Sequence, residues 1–408
     1  MSTEQVFILG CGYVGLPIAV EAAKAGYSVT GYDTNFDKIS NLRLGKTDSP
    51  EVSNLDLVEL QKTGFLKFAS SLEKPKQPSI YVIAVPTPLN AERKPDLAML
   101  NAACKMISTT IVEGSLVVNE STSYIGTLTD LIKPTIIAGS GIKDLDFAVA
   151  PERIDPTNLK WSLKTTPRII GGINESSVKR AVNFYKKFCE NLVTVSKPEV
   201  AEAAKLFENT FRQVNIALTN EITSIAQSYN LSTHEIINAA NTKPYGFMAF
   251  YPGVGVGGHC IPIDPSYLTF SANRRNVETK LIDLANEINF YNPHRVARLI
   301  IKFLDGNIQG KKIQIAGISY KPNISDIRES PVLELINQLS ILGGDISWHD
   351  PLVKKWNDQK SVSLHTQIDL GVICTPHDLI DFSAWQDNQV KVIDLSANNT
   401  NYGWNKFF

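Results

Sequence analysis

Cys260 stands in a run built for close approach, Gly257-Gly258-His259-Cys260-Ile261-Pro262-Ile263-Asp264-Pro265. Small residues before it let a ligand come near the backbone. A thiol placed there can act as a nucleophile where its neighbours lower its pKa. His259 is adjacent, but sequence neighbours in an extended loop point apart, so it is not favoured as the base. The remaining cysteines, Cys11, Cys104, Cys189 and Cys374, read as small buried hydrophobes. Lys205 and Asn209 lie four apart in a helical stretch and share one face. For them the plain alternative is a solvated cation beside a polar neighbour. Glu152 follows Pro151 at the end of an apolar strand pattern, where open α/β sheets bind ligands. Its alternative is an ordinary surface carboxylate. Asp264 reads either as part of the chemistry or as a cap that stiffens the loop between two prolines.

A second constellation opens the chain. Gly10-Cys11-Gly12-Tyr13-Val14-Gly15 is a G-x-G-x-x-G that follows an apolar run, Val6 to Leu9, and leads into a helical stretch, Leu16 to Ala25. In that setting Gly10 permits a tight turn and Gly12 lets a pyrophosphate approach the backbone. Gly15 allows close helix–strand packing, and the helix N-terminus faces the phosphate charge. Asp33 closes the next strand, 33 − 15 = 18 residues after the last glycine. A carboxylate there accepts hydrogen bonds from the adenosine ribose and repels a 2′-phosphate, which favours NAD over NADP. Lys38, a cation nearby, offsets part of that repulsion. A glycine turn with no ligand is the alternative.

The elements that must hold these residues follow from periodicity. Short apolar strands recur at Ile80 to Val85, Ser115 to Val118 and Phe147 to Ala150, each ending in a loop of Pro or small polar residues. Alternation with helices predicts a parallel sheet covered on both faces. From Glu199 to Tyr229 the pattern is helical throughout; about 30 residues at 1.5 Å each is roughly 45 Å, long enough to connect domains. Asn241 to Pro265 is loop-like, and Thr279 to Leu304 is helical with an interruption at Pro293. Alternation resumes from Lys311, with strands at Ile313 to Ile318, Asp345 to Trp348, Gly371 to Cys374 and Val390 to Leu395. A helix from Pro331 to Leu342 separates the first two. No glycine fingerprint follows the first of these strands. The expected fold class is α/β: two Rossmann-like, doubly wound parallel-sheet domains joined by a long central helix. The expected division is 1–197 for a dinucleotide domain, 198–304 for a central helical domain with the cysteine loop, and 305–408 for a C-terminal α/β domain.

Composition narrows the classes. The chain has 408 residues, 43% of them hydrophobic, enough for more than one core. Lys plus Arg is 40 and Asp plus Glu 41, a net charge of −1, which offers no electrostatic footprint for nucleic acid or an anionic membrane. There is no apolar run of membrane-spanning length and no signal-peptide pattern at the N-terminus. An odd number of widely spaced cysteines argues against a disulfide framework and for a reducing cytoplasm. No metal-ligand spacing occurs, so no metal site is expected.

Taken together, these segments resemble the nucleotide-sugar 6-dehydrogenases, the group that oxidises UDP-glucose, GDP-mannose and UDP-N-acetylhexosamines. The resemblance rests on the cysteine run, Lys205-Leu206-Phe207-Glu208-Asn209, Val85-Pro86-Thr87-Pro88, and Ser319-Tyr320-Lys321-Pro322 with Asp326-Ile327-Arg328-Glu329-Ser330. It covers the chain from Gly10 to about Leu395. Thr242-Lys243-Pro244-Tyr245-Gly246-Phe247 and His259 before the cysteine look most like the UDP-N-acetylglucosamine branch. The resemblance implies a four-electron oxidation of the sugar 6-hydroxyl to a carboxylate with two NAD, through a thiohemiacetal and then a thioester on Cys260. It places Lys205 and Asn209 at the developing oxyanion, with Asp264, Glu152 and Thr122 also in the site. Lys205, Asp264 and Glu152 remain alternative bases. It implies cofactor contacts from Gly10, Gly12, Tyr13, Val14, Gly15, Asp33, Lys38, Pro86, Thr87, Thr122 and Arg328. It implies sugar-nucleotide contacts from Glu152, Arg153, Lys205, Asn209, Tyr251, Gly257, Gly258 and Lys321. The family often carries a second carboxylate four residues after the equivalent of Glu152; here that position is Pro156, with Asp155 beside it. A homodimer or higher oligomer and a role in polysaccharide biosynthesis are implied as well.

Two further readings stand beside this one. A β-hydroxyacid dehydrogenase would use Lys and Asn four apart, but needs no cysteine and no second α/β domain. A non-catalytic NAD or nucleotide sensor would bind without turnover.

Overall fold

The structure, a computed structural model, describes residues 4–396 apart from 48, 156, 157 and 159, together with 404 and 406–408. The chain separates into two compact units, Met1–Glu208 with Phe270–Arg275, and Asn209–Thr269 with Asn276–Phe408.

The first unit carries a sheet of eight strands: β1 (Gln5–Leu9), β2 (Ser28–Tyr32), β3 (Leu66–Ala69), β4 (Ile80–Ile83), β5 (Leu116–Asn119), β6 (Asp146–Val149), β7 (Arg168–Gly172) and β8 (Leu192–Val195). Their order is β3-β2-β1-β4-β5-β6-β7-β8. The first six run parallel; β7 meets β6 antiparallel, so the last two strands point the other way. The helices of this unit are α1 (Gly15–Lys24), α2 (Phe36–Arg43), α3 (Asn54–Lys62), α4 (Ala98–Thr110), α5 (Lys133–Ser140) and α6 (Glu175–Tyr185), and a five-residue π turn, Leu128–Ile132, precedes α5. Strands such as Ile80–Ile83 and Leu116–Asn119 are buried along their whole length, as strands covered on both faces must be. Two apolar clusters, one on each face, hold the layers together.

Helix α7 (Pro198–Ser228, 31 residues) is the long helix that the spacing predicts. It is followed by α8 (Thr233–Asn241), α9 (Asp264–Asn273) and α10 (Lys280–Phe303). The expected break at Pro293 does not occur; α10 runs through it. Proline there gives up one backbone bond, but flanking side chains fasten the helix. Asn289 donates to the Gln213 carbonyl at 2.9 Å, and Asn292 donates to the carbonyls of Gly253 and Val254 at 2.9 and 2.8 Å.

The second unit ends in a four-stranded parallel sheet. Its strands are β9 (Lys312–Ala316), β10 (Asp345–His349), then, after a short hairpin of β11 (Lys355–Trp356) and β12 (Gln359–Lys360), β13 (Leu370–Ile373) and β14 (Val392–Asp394). The order is β10-β9-β13-β14. Helices α11 (Pro331–Ile341) and α12 (Ser383–Asp387) complete it. Trp385 is fully buried, and a Cβ added at Gly371 would lie 2.8 Å from its ring.

Candidate functional site

In the first unit the strand order reverses between β1 and β4, and both strands end at the glycine fingerprint. The amide of Gly10 donates to the Tyr32 carbonyl, and that of Ala84 to the Leu9 carbonyl, each at 2.8 Å. Gly10 has φ +96° and its missing Cβ would overlap the Ala84 carbonyl; that of Gly15 would overlap the Gly10 carbonyl. Both glycines are therefore demanded by the turn and by packing. Gly12 is different. Nothing lies within 4 Å of where its Cβ would be, so the space above it is open where the fingerprint receives a pyrophosphate. Tyr13 and Val14 complete the turn, and Val14 is the N-cap of α1 without a side-chain bond. Asp33 is fixed by the amides of Cys11 at 3.0 Å and Asn35 at 2.9 Å. Lys38 pairs with the same carboxylate at 3.3 Å. The residues fit an adenosine dinucleotide: an open glycine, a helix N-terminus and an oriented carboxylate.

The carboxyl ends of β4, β5 and β6 supply the next group. Thr87 is buried after Pro86 and donates to the Thr122 carbonyl at 2.6 Å; Ser121 donates to the Val85 carbonyl at 2.8 Å. Thr87 and Thr122, expected to lie by the cofactor, are thus brought together. Glu152 follows β6, is 9% exposed and accepts from the amide of Ile154. Burial pushes its carboxyl up to about 7, against the pull of the nearby Lys205 ammonium and the Arg168 guanidinium. Lys205 is itself buried on α7. Arg153 holds Glu208 through Nη2 and Nε, at 2.6 and 3.0 Å, and its Nη1 donates to the Pro167 carbonyl at 2.8 Å. Pro156, where the family's second carboxylate was sought, lies outside the described residues.

The second unit holds the cysteine. Cys260 is partly exposed, whereas the four other cysteines are buried. Its carbonyl accepts from the amides of Ile263 and Asp264, at 3.1 and 2.8 Å, so it sits in the turn that starts α9. Burial, with Arg328 adding to it, holds the neighbouring His259 imidazole down to about 4, so it is neutral near pH 7. Asp264 is buried, and Asn209 donates to its Oδ2 at 2.5 Å. The stretch of glycines before the cysteine rests on the segment after β9. Gly258 has φ +88°, its amide donates to the Arg328 carbonyl at 3.1 Å, and an added Cβ would lie 2.8 Å from the Tyr320 ring. At Gly257 a Cβ would meet Tyr320 at 2.7 Å. Arg328 pairs with Asp326 at 2.6 Å. Lys321 is carried by the same segment. Tyr251 bonds Asn238 at 2.8 Å and stacks on His234.

Several residues escaped the sequence. Arg168 and Glu120 form a buried ion pair at 2.5 Å, joined by the Tyr185 hydroxyl. Glu202, one turn before Lys205, accepts from the amides of Gly126 and Leu128 at 2.5 and 3.0 Å. Nothing in their spacing marks them. Asp350 and His377 do carry a signal: each ends an apolar strand beside a proline, as Pro86 does in the first unit.

Three sequence models match successive parts of the chain. They describe the NAD binding domain, the central domain and the UDP binding domain of the UDP-glucose/GDP-mannose dehydrogenase family, over residues 4–189, 199–291 and 314–397. A UDP-N-acetyl-D-mannosamine dehydrogenase of Pyrococcus horikoshii is 34% identical over 94% of this chain and 91% of its own. A UDP-N-acetyl-D-glucosamine 6-dehydrogenase of Salmonella typhi is 33% identical, over 88% and 84%. Among solved structures, the UDP-D-ManNAc dehydrogenase of Pyrococcus horikoshii superposes with a TM-score of 0.87 at 31% identity, covering 98% of this chain and 96% of that one.

Proposed function

Because the chain belongs to the UDP-glucose/GDP-mannose dehydrogenase family, we propose that it oxidises the 6-hydroxyl of a UDP-N-acetylhexosamine, UDP-N-acetylglucosamine first, to the 6-carboxylate. Its class is NAD-dependent oxidation of a CH–OH group. The relatives named for UDP-N-acetylmannosamine support that epimer as the second reading, with UDP-glucose behind it. We assign NAD to residues 1–197, the cysteine loop and central helices to 198–304, and the UDP moiety to 305–408.

NAD, held by the Gly10–Gly15 turn and Asp33, would supply the hydride acceptor for each of the two oxidations. The chain supplies the rest. Glu152, with a carboxyl poised near 7, suits proton removal from the 6-hydroxyl or from water. The Cys260 sulfur adds to the aldehyde carbon, giving a thiohemiacetal whose C–H can still leave as hydride. The resulting thioester is cleaved by water, which returns the thiol and releases the acid. A fixed cation at Lys205 and an amide at Asn209 stabilise oxyanion charge without solvent reorganisation. Asp264 orients that amide.

One observation carries this reading: among the cysteines only Cys260 is accessible, and it lies where a helix begins. The test is stoichiometry. A panel of UDP-glucose, UDP-N-acetylglucosamine, UDP-N-acetylgalactosamine and UDP-N-acetylmannosamine should yield two NADH per accepted sugar. Cys260→Ala should lose net oxidation and keep NAD binding. One NADH per sugar, or an active alanine variant, would remove the thioester route.

We also propose a homodimer built on α7, in a cytoplasmic enzyme without nucleic-acid or membrane partners. Phe211, Leu218 and Ile225 are 43%, 54% and 55% exposed, and Leu218 and Ile225 follow Phe211 at successive intervals of seven. They form one apolar stripe of the kind that pairs across a two-fold axis. Among the described residues no helix is long and apolar enough to cross a membrane.

A further inference from the structure

The crevice where strand order reverses is the usual ligand position of an open parallel sheet. In the second unit it lies between β9 and β13, and the protein's own side chains fill it. Asp350, His377 and Ser319 follow β10, β13 and β9, and all three are buried. Asp350 is the hub. Its Oδ2 accepts from the amides of Ile318 and Ser319, at 2.9 and 3.3 Å, and its Oδ1 from those of Leu352 and Val353, at 2.9 and 3.0 Å.

His377 connects that hub to the loop. Its Nδ1 accepts from the amide of Asn323 at 2.9 Å, which places the ring proton on Nε2. Nε2 lies 3.0 Å from Asp350 Oδ2 and 3.1 Å from Ser319 Oγ. The Ser319 hydroxyl spends its own proton on the Lys321 carbonyl at 2.9 Å, so it accepts from the imidazole. Thr375 donates to the Ser319 carbonyl at 2.7 Å, and the Asn323 and Asp378 side chains and backbone bond each other twice. Ile318, Ser319 and Asn323 are therefore tied to the residues that follow β10 and β13, and the Ser319 hydroxyl passes that hold to the Lys321 carbonyl. Burial works against charge on Asp350, but His377 and the backbone amides more than offset it and hold the carboxyl below its ordinary value.

That segment does two things at once. It carries Lys321, and through Tyr320 it forms the shelf against which Gly257 and Gly258 rest, three and two residues before the cysteine. We propose that His377 is a positioning residue: its imidazole fastens residues 318–323, so that one rigid segment both presents Lys321 to the UDP moiety and seats the Cys260 loop. The inference rests on the proposed assignment of UDP to this unit.

The test uses the full chain and two readouts that need no turnover: calorimetric binding of UDP, and the rate at which iodoacetamide alkylates Cys260. His377→Leu removes both ring nitrogens; His377→Asn keeps an acceptor toward the Asn323 amide. The leucine variant should weaken UDP binding by about tenfold, the loss of roughly one net hydrogen bond's worth of ordering, and should change the alkylation rate. NAD binding should stay as it was. The asparagine variant should recover part of both effects, which a general loss of stability would not do. With active protein, the sugar-nucleotide KM should rise more than kcat falls. A folded leucine variant with unaltered UDP affinity and alkylation rate overturns the proposal. If that variant does not fold, Ser319→Ala, which cuts the link from Nε2 to the Lys321 carbonyl, must weaken UDP binding in the same direction; unchanged binding there overturns it equally. A protein that binds UDP and shows these shifts yet forms no NADH would count against the dehydrogenase reading alone.

Discussion

Asn209 on α7 gives its side-chain amide to Asp264, the first residue of α9, at 2.5 Å, joining two positions 55 residues apart. The carboxylate is buried, so each partner depends on the other. Asn209→Ala should destabilise the fold by about 1–3 kcal/mol, because a buried acceptor loses a donor. The double variant with Asp264→Ala should show a coupling of about 0.5–3 kcal/mol in urea unfolding. Strict additivity would mean that the bond contributes nothing.

The Glu152 carboxyl, pushed up to about 7 by burial, predicts two pH effects. A base acts when deprotonated, so kcat/KM should rise with pH through about 7, and Glu152→Gln should remove that limb. For stability the sign is reversed. The unfolded carboxyl titrates near its ordinary value of about 4.3. Between there and 7 the folded state holds the extra proton, so this group's stabilisation is complete below about 4.3 and fades as pH rises to 7. Urea unfolding at pH 5 and pH 8 should show a smaller difference in the Gln variant than in the parent.

Three glycines of one fingerprint should respond differently. Gly10→Ala and Gly15→Ala put a methyl into backbone carbonyls and should lower the melting temperature. Gly12→Ala meets nothing in the protein, so it should fold as the parent does. A methyl in the phosphate's place costs about 1–3 kcal/mol, which is roughly a ten- to hundredfold rise in the NAD KM. Equal stability losses at all three positions would contradict this division.

Charge placed on the apolar stripe of α7 should dissociate the oligomer. Leu218→Lys with Ile225→Lys is expected to halve the mass seen by light scattering while the monomer keeps its helical spectrum. A parent protein that is already monomeric would end the dimer proposal.

Local order was legible in the sequence wherever the physics is local. Apolar runs ending in small residues placed β1, β2, β4, β5 and β6 and the four strands of the second sheet to within a residue or two, and the 3.6-residue period gave α7 almost to its ends. The helix rule failed at Pro293, where bonds from Asn289 and Asn292 to distant carbonyls outweigh the missing amide. Strands β3, β7 and β8 were not legible, since Lys67, Gly171 and Gly172, and Thr194 interrupt their short apolar runs, and the antiparallel entry of β7 was equally invisible, since a strand's direction is not written in its composition.

By itself, the sequence determined which groups the protein has for chemistry: a fingerprint with its carboxylate, a cysteine among glycines, and Lys205 and Asn209 one turn apart. Those are matters of residue type and short spacing, and covalent geometry carries them directly. Tertiary structure alone decided which cysteine solvent can reach, where the Glu152 proton titrates, that Asp264 is held by Asn209, and that His377 and Asp350 close the crevice of the second sheet. Exposure, desolvation and hydrogen-bond partnership depend on segments that meet only after folding, and no local rule encodes those meetings.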